Sequence, residues 1–209
     1  MLCKLGTIIL MRRDATENRL ALLAAARIEL NLDADASLEA IAARAGLSRR
    51  SIYGHFATRD ELLRELITLG ALRVAAAVGN VEHADPVVRL ALIASRLWHE
   101  VEDVRVMAVF AVRGPLKSVT AEALAPLRER VVSAIAEGAA TGSVRRDIPV
   151  PRLARLVEDA ALSGLAEASR DAVPAADAHR LVMLLVLSTI GLSAADSATL
   201  IDTHPELDS

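Results

Sequence analysis

Residues 37–63 read SLEAIAARAGLSRRSIYGHFATRDELL, and this stretch decides the fold of the 209-residue chain. Ser37 and Ser48 each precede a run of helix-forming residues, and serine is a preferred N-cap. Gly46 lies between the two runs, where glycine typically ends a helix. The spacing therefore predicts a helix, a tight turn and a second helix, the arrangement that places a recognition helix in the major groove of DNA.

The two predicted helices each have an apolar face and a polar face. Five apolar residues are expected to form a small core between them: Leu38, Ile41, Leu47, Ile52 and Phe56. With these inward, the second helix presents Arg49, Arg50, Ser51, Tyr53 and His55 to solvent. Arginine can donate two hydrogen bonds to guanine and serine can bond a base edge, whereas tyrosine and histidine suit phosphate oxygens. The outer face thus has the chemistry of a DNA-reading surface.

The charge distribution favours the same segment. The net charge is −3, but residues 1–80 carry 11 Lys or Arg against 9 Asp or Glu, and residues 81–209 carry 13 against 18. Residues 40–59 contain no acid, and they include Arg44, His55 and two of the four aromatic residues, Tyr53 and Phe56. A local basic surface on an acidic chain is typical of a nucleic-acid contact.

Residues 38–63 resemble the DNA-binding domain of TetR-family transcriptional regulators, most specifically in Tyr53-x-His55-Phe56 followed by Arg59-Asp60-Glu61-Leu62-Leu63. The resemblance implies an all-α fold with an N-terminal three-helix helix-turn-helix domain and a C-terminal helical ligand-binding and dimerisation domain. It implies base contacts from Arg49, Arg50 and Ser51. We expect phosphate contacts from Ser37, Ser48, Tyr53, His55 and Arg59.

Three features depart from the family pattern. Arg50 stands at a position that is commonly glycine, and Arg59 replaces a usual lysine. The loop after the first helix is short and lacks the customary glycine. A long arginine at position 50 is expected to add a DNA contact; the alternative is that it alters how deeply the helix enters the groove.

Composition sets the class of the remaining chain. Hydrophobic residues make up 53% and aromatic residues 2%, so Ala, Leu, Val and Ile supply the core. This composition favours helices and argues against a β-sandwich or barrel. The single cysteine, Cys3, excludes an intramolecular disulfide framework. The apolar run 5–10 is too short for a membrane span, and Met11 suggests an alternative start, which would leave residues 1–10 untranslated.

Breaks at glycine, proline and aspartate divide the rest into helices. We expect helices at about 16–30, 58–78, 86–102, 104–112, 120–140, 151–169 and 176–192, with a polar tail that frays or forms one more turn. The predicted domains are 12–57 for DNA binding, 58–192 for effector binding and dimerisation, and 193–209 as the tail.

The resemblance places an effector pocket among the middle helices, where the candidates are Trp98, Met107, Phe110 and Arg113. Core packing is the alternative for the three apolar residues, and a surface position for the arginine. Apolar stripes on the last two long helices predict a dimer interface, with a four-helix bundle formed by two copies. Its candidate residues are Leu156, Ala160, Gly164, Leu181, Leu184, Leu185 and Ser188.

The sequence therefore predicts a cytoplasmic, ligand-responsive repressor that binds a palindromic operator as a homodimer and is released by a small-molecule effector. The alternative is a helix-turn-helix regulator controlled by a protein partner without a small-molecule pocket. An enzyme is not expected, because no nucleophile elbow, phosphate-binding glycine loop or Cys-His pair is found. The segment 99–103 (HEVED) lacks a second histidine at metal-ligand spacing, so neither a metal nor another cofactor is expected.

Overall fold

The computed structural model describes residues 2–170 and 173–208, with side chains from residue 15 onward. These residues are helical and include no strand. They form two compact units, one up to Thr68 and one from Leu69 onward.

The first unit contains the predicted helix-turn-helix. Its helices are α1 (Leu2–Leu32), α2 (Leu38–Arg44) and α3 (Arg49–His55), followed by the start of α4 (Arg59–Val78). The two predicted caps are confirmed: the Ser37 hydroxyl accepts a hydrogen bond from the amide of Ala40 at 3.1 Å, and Ser48 from that of Ser51 at 3.2 Å. Gly46, at φ +68°, makes the left-handed turn between α2 and α3.

The small core of this unit matches the predicted one with one exception. Leu38, Ile41, Ile52 and Phe56 are buried, whereas Leu47 is half-buried. Helices α1 and α4 complete the core with Leu22, Ala26, Leu30, Leu62 and Leu63. Because Ile52 and Phe56 are fully enclosed, α3 has a fixed rotation about its axis, and its polar face is left to solvent.

The second unit contains the C-terminal part of α4 and seven further helices among the described residues. They are α5 (Pro86–Val101), α6 (Arg105–Arg113), α7 (Lys117–Ala123), α8 (Ala125–Thr141), α9 (Val150–Glu167), α10 (Ala175–Thr189) and α11 (Ala194–Thr203). Short 3₁₀ turns occur at Glu102–Val104 and Pro205–Asp208. Asp85 caps α5 through the amide of Val87 at 2.8 Å.

Three segments differ from the sequence prediction. Helix α1 begins at Leu2 instead of at about residue 16. The single helix expected at 120–140 is two helices, since α7 ends at Ala123 and Pro126 lies in the first turn of α8, where proline is tolerated. The polar tail is ordered into α11 and a 3₁₀ turn. Leu207 is fully buried, and the buried Ser95 hydroxyl of α5 donates to the Leu207 carbonyl at 2.6 Å. The burial of Ile201 and Leu207 and the hydrogen bond from Ser95 thus hold a segment that the sequence pattern describes only as a polar tail.

Helix α5 is the centre of this unit. It is buried on almost every side and packs against α8 and α10, while α9 and α10 pack against each other. Gly164 permits the close approach of α9 and α10, because a Cβ at this position would lie 3.0 Å from Val182 Cγ2 and 3.1 Å from Leu185 Cδ1.

Candidate nucleic-acid interface

The outer face of α3 carries the five residues that the sequence predicts there. Arg49 and Arg50 are exposed, Tyr53 is 42% exposed, and Ser51 and His55 are half-buried. They share a face because Ile52 and Phe56 occupy the inner one. The structure therefore brings the predicted base-contacting and phosphate-contacting side chains of α3 onto one accessible surface.

An acidic residue of α2 lies against this surface. The Tyr53 hydroxyl donates to Glu39 Oε1 at 3.0 Å, and Arg49 Nε lies 3.2 Å from the same oxygen. The Arg49 guanidinium also lies 5.5 Å from the centre of the Tyr53 ring. Hydrogen bonds from backbone and from Tyr53 lower the pKa of Glu39, so its carboxylate is ionised at neutral pH.

Sequence reasoning missed this role of Glu39. The acid-free segment begins one residue after Glu39, and a glutamate in the first turn of a helix has a sufficient explanation in the helix dipole. The thirteen residues between Glu39 and Tyr53 include a turn, so neither helical periodicity nor spacing indicates that the two side chains meet.

Three of the predicted phosphate-contacting residues also have structural roles. Ser37 and Ser48 accept the cap bonds of α2 and α3 with their oxygen and keep their hydroxyl proton as a donor. Arg59 donates from Nε to the Ala36 carbonyl at 3.0 Å and from Nη2 to the Ala34 carbonyl. Arg59 thus fastens the loop between α1 and α2, which leaves fewer of its donors for a phosphate.

Arg19 of α1 supports the C-terminal end of α3, a role without a signal in the sequence pattern. Its Nη1 donates to the His55 carbonyl at 2.9 Å, and its Nε donates to Glu65 Oε1 of α4 at 3.0 Å. The guanidinium lies 4.3 Å from the centre of the Phe56 ring. One side chain therefore links α1, α3 and α4.

The predicted effector residues lie in the second unit, mostly inside its core. Trp98 is 1% exposed and packs with Leu162, Leu165 and Val182, and Met107 is buried as well. Phe110 is half-buried. Arg113 donates to the Asp159 carbonyl at 3.1 Å and to Ser163 Oγ at 3.3 Å, so it ties α6 to α9.

Polar groups surround Trp98. Its indole N–H donates to Glu102 Oε2 at 3.1 Å, and its ring stacks on His179 with centroids 6.1 Å apart. His179 is 6% exposed and lies 4.8 Å from the His99 ring, and its Nε2 has no hydrogen-bond partner among the described residues. Burial lowers the pKa of His179, and the charge of His99 lowers it further. The carboxylates of Asp208 and Glu102 raise it by less, so the pKa stays below its usual value.

The predicted dimer residues divide into two groups. Leu156 and Ser188 are exposed and Ala160, Leu181, Leu184 and Leu185 are half-buried, so α9 and α10 leave apolar surface uncovered in the single chain. Gly164, in contrast, is buried against α10 of the same chain. Within residues 15–170 and 173–208, no group of three His, Cys, Asp or Glu side chains could hold a metal ion.

Comparison with known proteins identifies the first unit. Residues 22–66 match the family model of the bacterial regulatory proteins of the tetR family. Over these residues the first unit is therefore similar in sequence to the TetR family. The match confirms the resemblance read from Tyr53-x-His55-Phe56 and extends it into α1 and α4. No curated protein sequence matches the chain.

Solved structures of transcriptional regulators are similar to this chain in fold across both units. The chain is similar to the ketosteroid transcriptional regulator KstR2 of Mycobacterium tuberculosis, with TM-score 0.65, 21% identity and coverage of 84% of this chain and 95% of that one. It is similar to SmeT, the repressor of the Stenotrophomonas maltophilia multidrug efflux pump SmeDEF, with TM-score 0.62, 22% identity and coverages of 82% and 87%.

A third similar structure is the transcriptional regulator FadR from Bacillus subtilis in complex with stearoyl-CoA, with TM-score 0.61, 17% identity and coverages of 80% and 97%. These likenesses confirm the predicted fold class, a helix-turn-helix domain followed by a helical domain. No helix in the described part of the chain is both long and apolar enough to cross a membrane.

Proposed function

We propose that this TetR-type regulator is a cytoplasmic repressor that binds a palindromic operator as a homodimer and leaves it when a small molecule binds. The observation that carries the proposal is the exposed face of α3, with Arg49 and Arg50 open to solvent on a helix of fixed rotation. In the proposed complex, Arg49, Arg50 and Ser51 contact bases. Ser37, Ser48, Tyr53, His55 and Arg59 contact phosphates.

The proposed dimer places α9 and α10 of two copies in a four-helix bundle. Apolar surface at the exposed Leu156 and the half-buried Leu181 and Leu184 supports this, since burying the remaining exposed part of these side chains against a partner is favourable. A two-fold dimer presents two α3 helices to successive turns of the major groove, which requires a palindromic site. Sedimentation at micromolar concentration should give a dimer, and a monomer would contradict this part of the proposal.

The proposed effector acts through α4, which runs without a break from Arg59 to Val78 and so contributes to both units. A small molecule among α5, α6 and α9 changes DNA affinity only if it binds the free and DNA-bound conformations unequally. Beside its polar neighbours, Trp98 packs with the aliphatic side chains of Leu162, Leu165 and Val182, which favours an aliphatic effector. That FadR is solved with stearoyl-CoA supports a ligand role for the corresponding domain here.

Control by a protein partner is the second candidate. The burial of Trp98 and Met107 favours it, because side chains packed into the core leave less room for a ligand. Native mass spectrometry of the purified protein separates the two candidates. The effector proposal is supported if the protein retains a small molecule and binds DNA more tightly once that molecule is removed. The alternative is supported if a second protein co-purifies and its removal changes the DNA affinity in the same way.

Selection of bound duplexes from fragmented genomic DNA tests the operator proposal. Recovery of one inverted-repeat sequence is expected, with an affinity that falls steeply as salt concentration rises. Recovery of unrelated sequences in proportion to their abundance would contradict it. The genes beside the recovered site would then indicate the chemical class of the effector.

A further inference from the structure

We infer that Glu39 sets the selectivity of the recognition helix by holding Arg49 for a base and by opposing its transfer to a phosphate. The inference rests on the proposed function, since it concerns how the same surface discriminates operator from other DNA. It stands on two contacts that converge on one carboxylate oxygen, from Tyr53 Oη at 3.0 Å and from Arg49 Nε at 3.2 Å.

Arg49 has three nitrogen donors, and Glu39 contacts one of them, Nε. Its side chain is 74% exposed, so without a partner it would sample many rotamers. Glu39 engages Nε and leaves the two terminal nitrogens, Nη1 and Nη2, unoccupied by this contact. Those nitrogens form the fork that donates to O6 and N7 of guanine. Glu39 thereby orients the arginine while leaving its base-reading atoms available.

Arg49 can bind a guanine edge or a phosphate, and Glu39 affects the two differently. A guanine edge is uncharged and can be bonded while Arg49 remains paired with Glu39. A phosphate attracts the whole guanidinium away from Glu39 and adds a second anion beside an unpaired carboxylate. Binding to a phosphate through Arg49 is therefore weakened relative to binding to the correct base. This difference is what selectivity requires.

Tyr53 also bonds the Glu39 carboxylate in the protein without DNA. Its hydroxyl donates to Glu39, and the Arg49 guanidinium lies 5.5 Å from its ring centre. If Tyr53 exchanges Glu39 for a phosphate in the complex, it does so on operator and on unrelated DNA alike. The exchange at Tyr53 therefore changes the affinities for operator and for unrelated DNA equally and leaves their ratio unchanged. The exchange at Arg49 changes only one of them and so changes the ratio.

The test compares Glu39→Gln with wild type on two probes, a duplex selected from a random-sequence library and a scrambled duplex of equal composition. Fluorescence anisotropy of the full-length protein is recorded over a salt series. Asp35→Asn is the matched control, because it removes the same charge from an exposed loop of the same unit.

We expect Glu39→Gln to lower the ratio of selected to scrambled affinity about tenfold, which is within the discrimination of one bidentate base contact. On the scrambled duplex, the slope of log affinity against log salt should become steeper by about 0.9, the value for one additional phosphate contact. Asp35→Asn should leave the ratio unchanged. In an Arg49→Ala background, Glu39→Gln should no longer change the ratio.

Three results would overturn the inference: an unchanged ratio in Glu39→Gln, an equal change in the ratio for Asp35→Asn, or a persisting effect of Glu39→Gln in the Arg49→Ala background. Circular dichroism of each variant verifies that its helical content is retained. A wild-type protein that shows no preference for any duplex would instead refute the proposed function, and this inference with it. If only the inference about Glu39 is wrong, the wild-type protein still prefers the selected duplex over the scrambled one.

Discussion

Arg19 provides a sharp test of how the recognition helix is held in place. Replacing it with alanine keeps a good helix former in α1 and removes three contacts at once. These are the hydrogen bond to the His55 carbonyl at 2.9 Å, the ion pair with Glu65, and the guanidinium 4.3 Å above the Phe56 ring. We expect α3 to open more readily while the remainder of the unit stays folded.

The magnitude follows from these contacts. A hydrogen bond from a charged donor contributes about 1.5–3 kcal/mol, a partly exposed ion pair about 0.2–1 kcal/mol, and a cation–π contact about 0.5–1 kcal/mol. Such contributions are not additive, and Arg19 is 36% exposed, so a loss of about 2 kcal/mol is expected. That corresponds to about a 30-fold increase in the population in which α3 is open.

Amide hydrogen exchange measures this opening directly. The informative amides are those of Ile52, bonded to the Ser48 carbonyl, and Phe56, bonded to the Ile52 carbonyl. Their protection should fall about 30-fold in Arg19→Ala but less than about fivefold in Glu65→Gln, which weakens only the ion pair. Equal effects of the two variants, or unchanged protection in Arg19→Ala, would refute the reasoning.

Three further predictions concern a cap, a helix contact and a buried imidazole. Ser48→Ala removes the cap on the Ser51 amide and should destabilise α3 by about 1 kcal/mol, seen as lost amide protection there. Gly164→Leu should overpack the contact with Val182 and lower the free energy of unfolding by about 1–3 kcal/mol, seen as a lower melting temperature. An unchanged melting temperature would contradict that close contact. Because burial lowers the pKa of His179, the unfolded state binds the proton more readily, and stability should fall as pH decreases below about 6.5. His179→Gln should flatten this pH dependence in denaturant titrations, and an identical slope would argue against a buried neutral imidazole.

The sequence predicts the parts of the fold that depend on neighbouring residues. The Ser37 and Ser48 hydroxyls accept hydrogen bonds from amides three residues further on, and Gly46 supplies the positive φ of the turn between α2 and α3. The inward face of α3 follows from the spacing of Ile52 and Phe56. Local signals of this kind determine where helices begin and which face is apolar.

Contacts between distant residues could not be predicted in this way. Arg19 and Glu65 are 46 positions apart, and Ser95 and the Leu207 carbonyl are 112 apart. Periodicity shows that a face is polar or apolar but not which partner it meets. The same limit applies to Glu39, whose partners lie on the next helix, and to Gly164, which sequence reasoning assigns to a dimer contact and which packs against α10 of its own chain.

The central claim is that the exposed face of α3 reads DNA sequence. The most direct measurement is the affinity of wild type, Arg49→Ala and Tyr53→Ala for the selected operator and for a set of its single-base variants at fixed salt. We expect Arg49→Ala to lose discrimination at one base pair in each half-site, by about 5–150-fold for a bidentate contact. Tyr53→Ala should weaken binding to every duplex by a similar factor. Retained discrimination at every base pair in Arg49→Ala would contradict it.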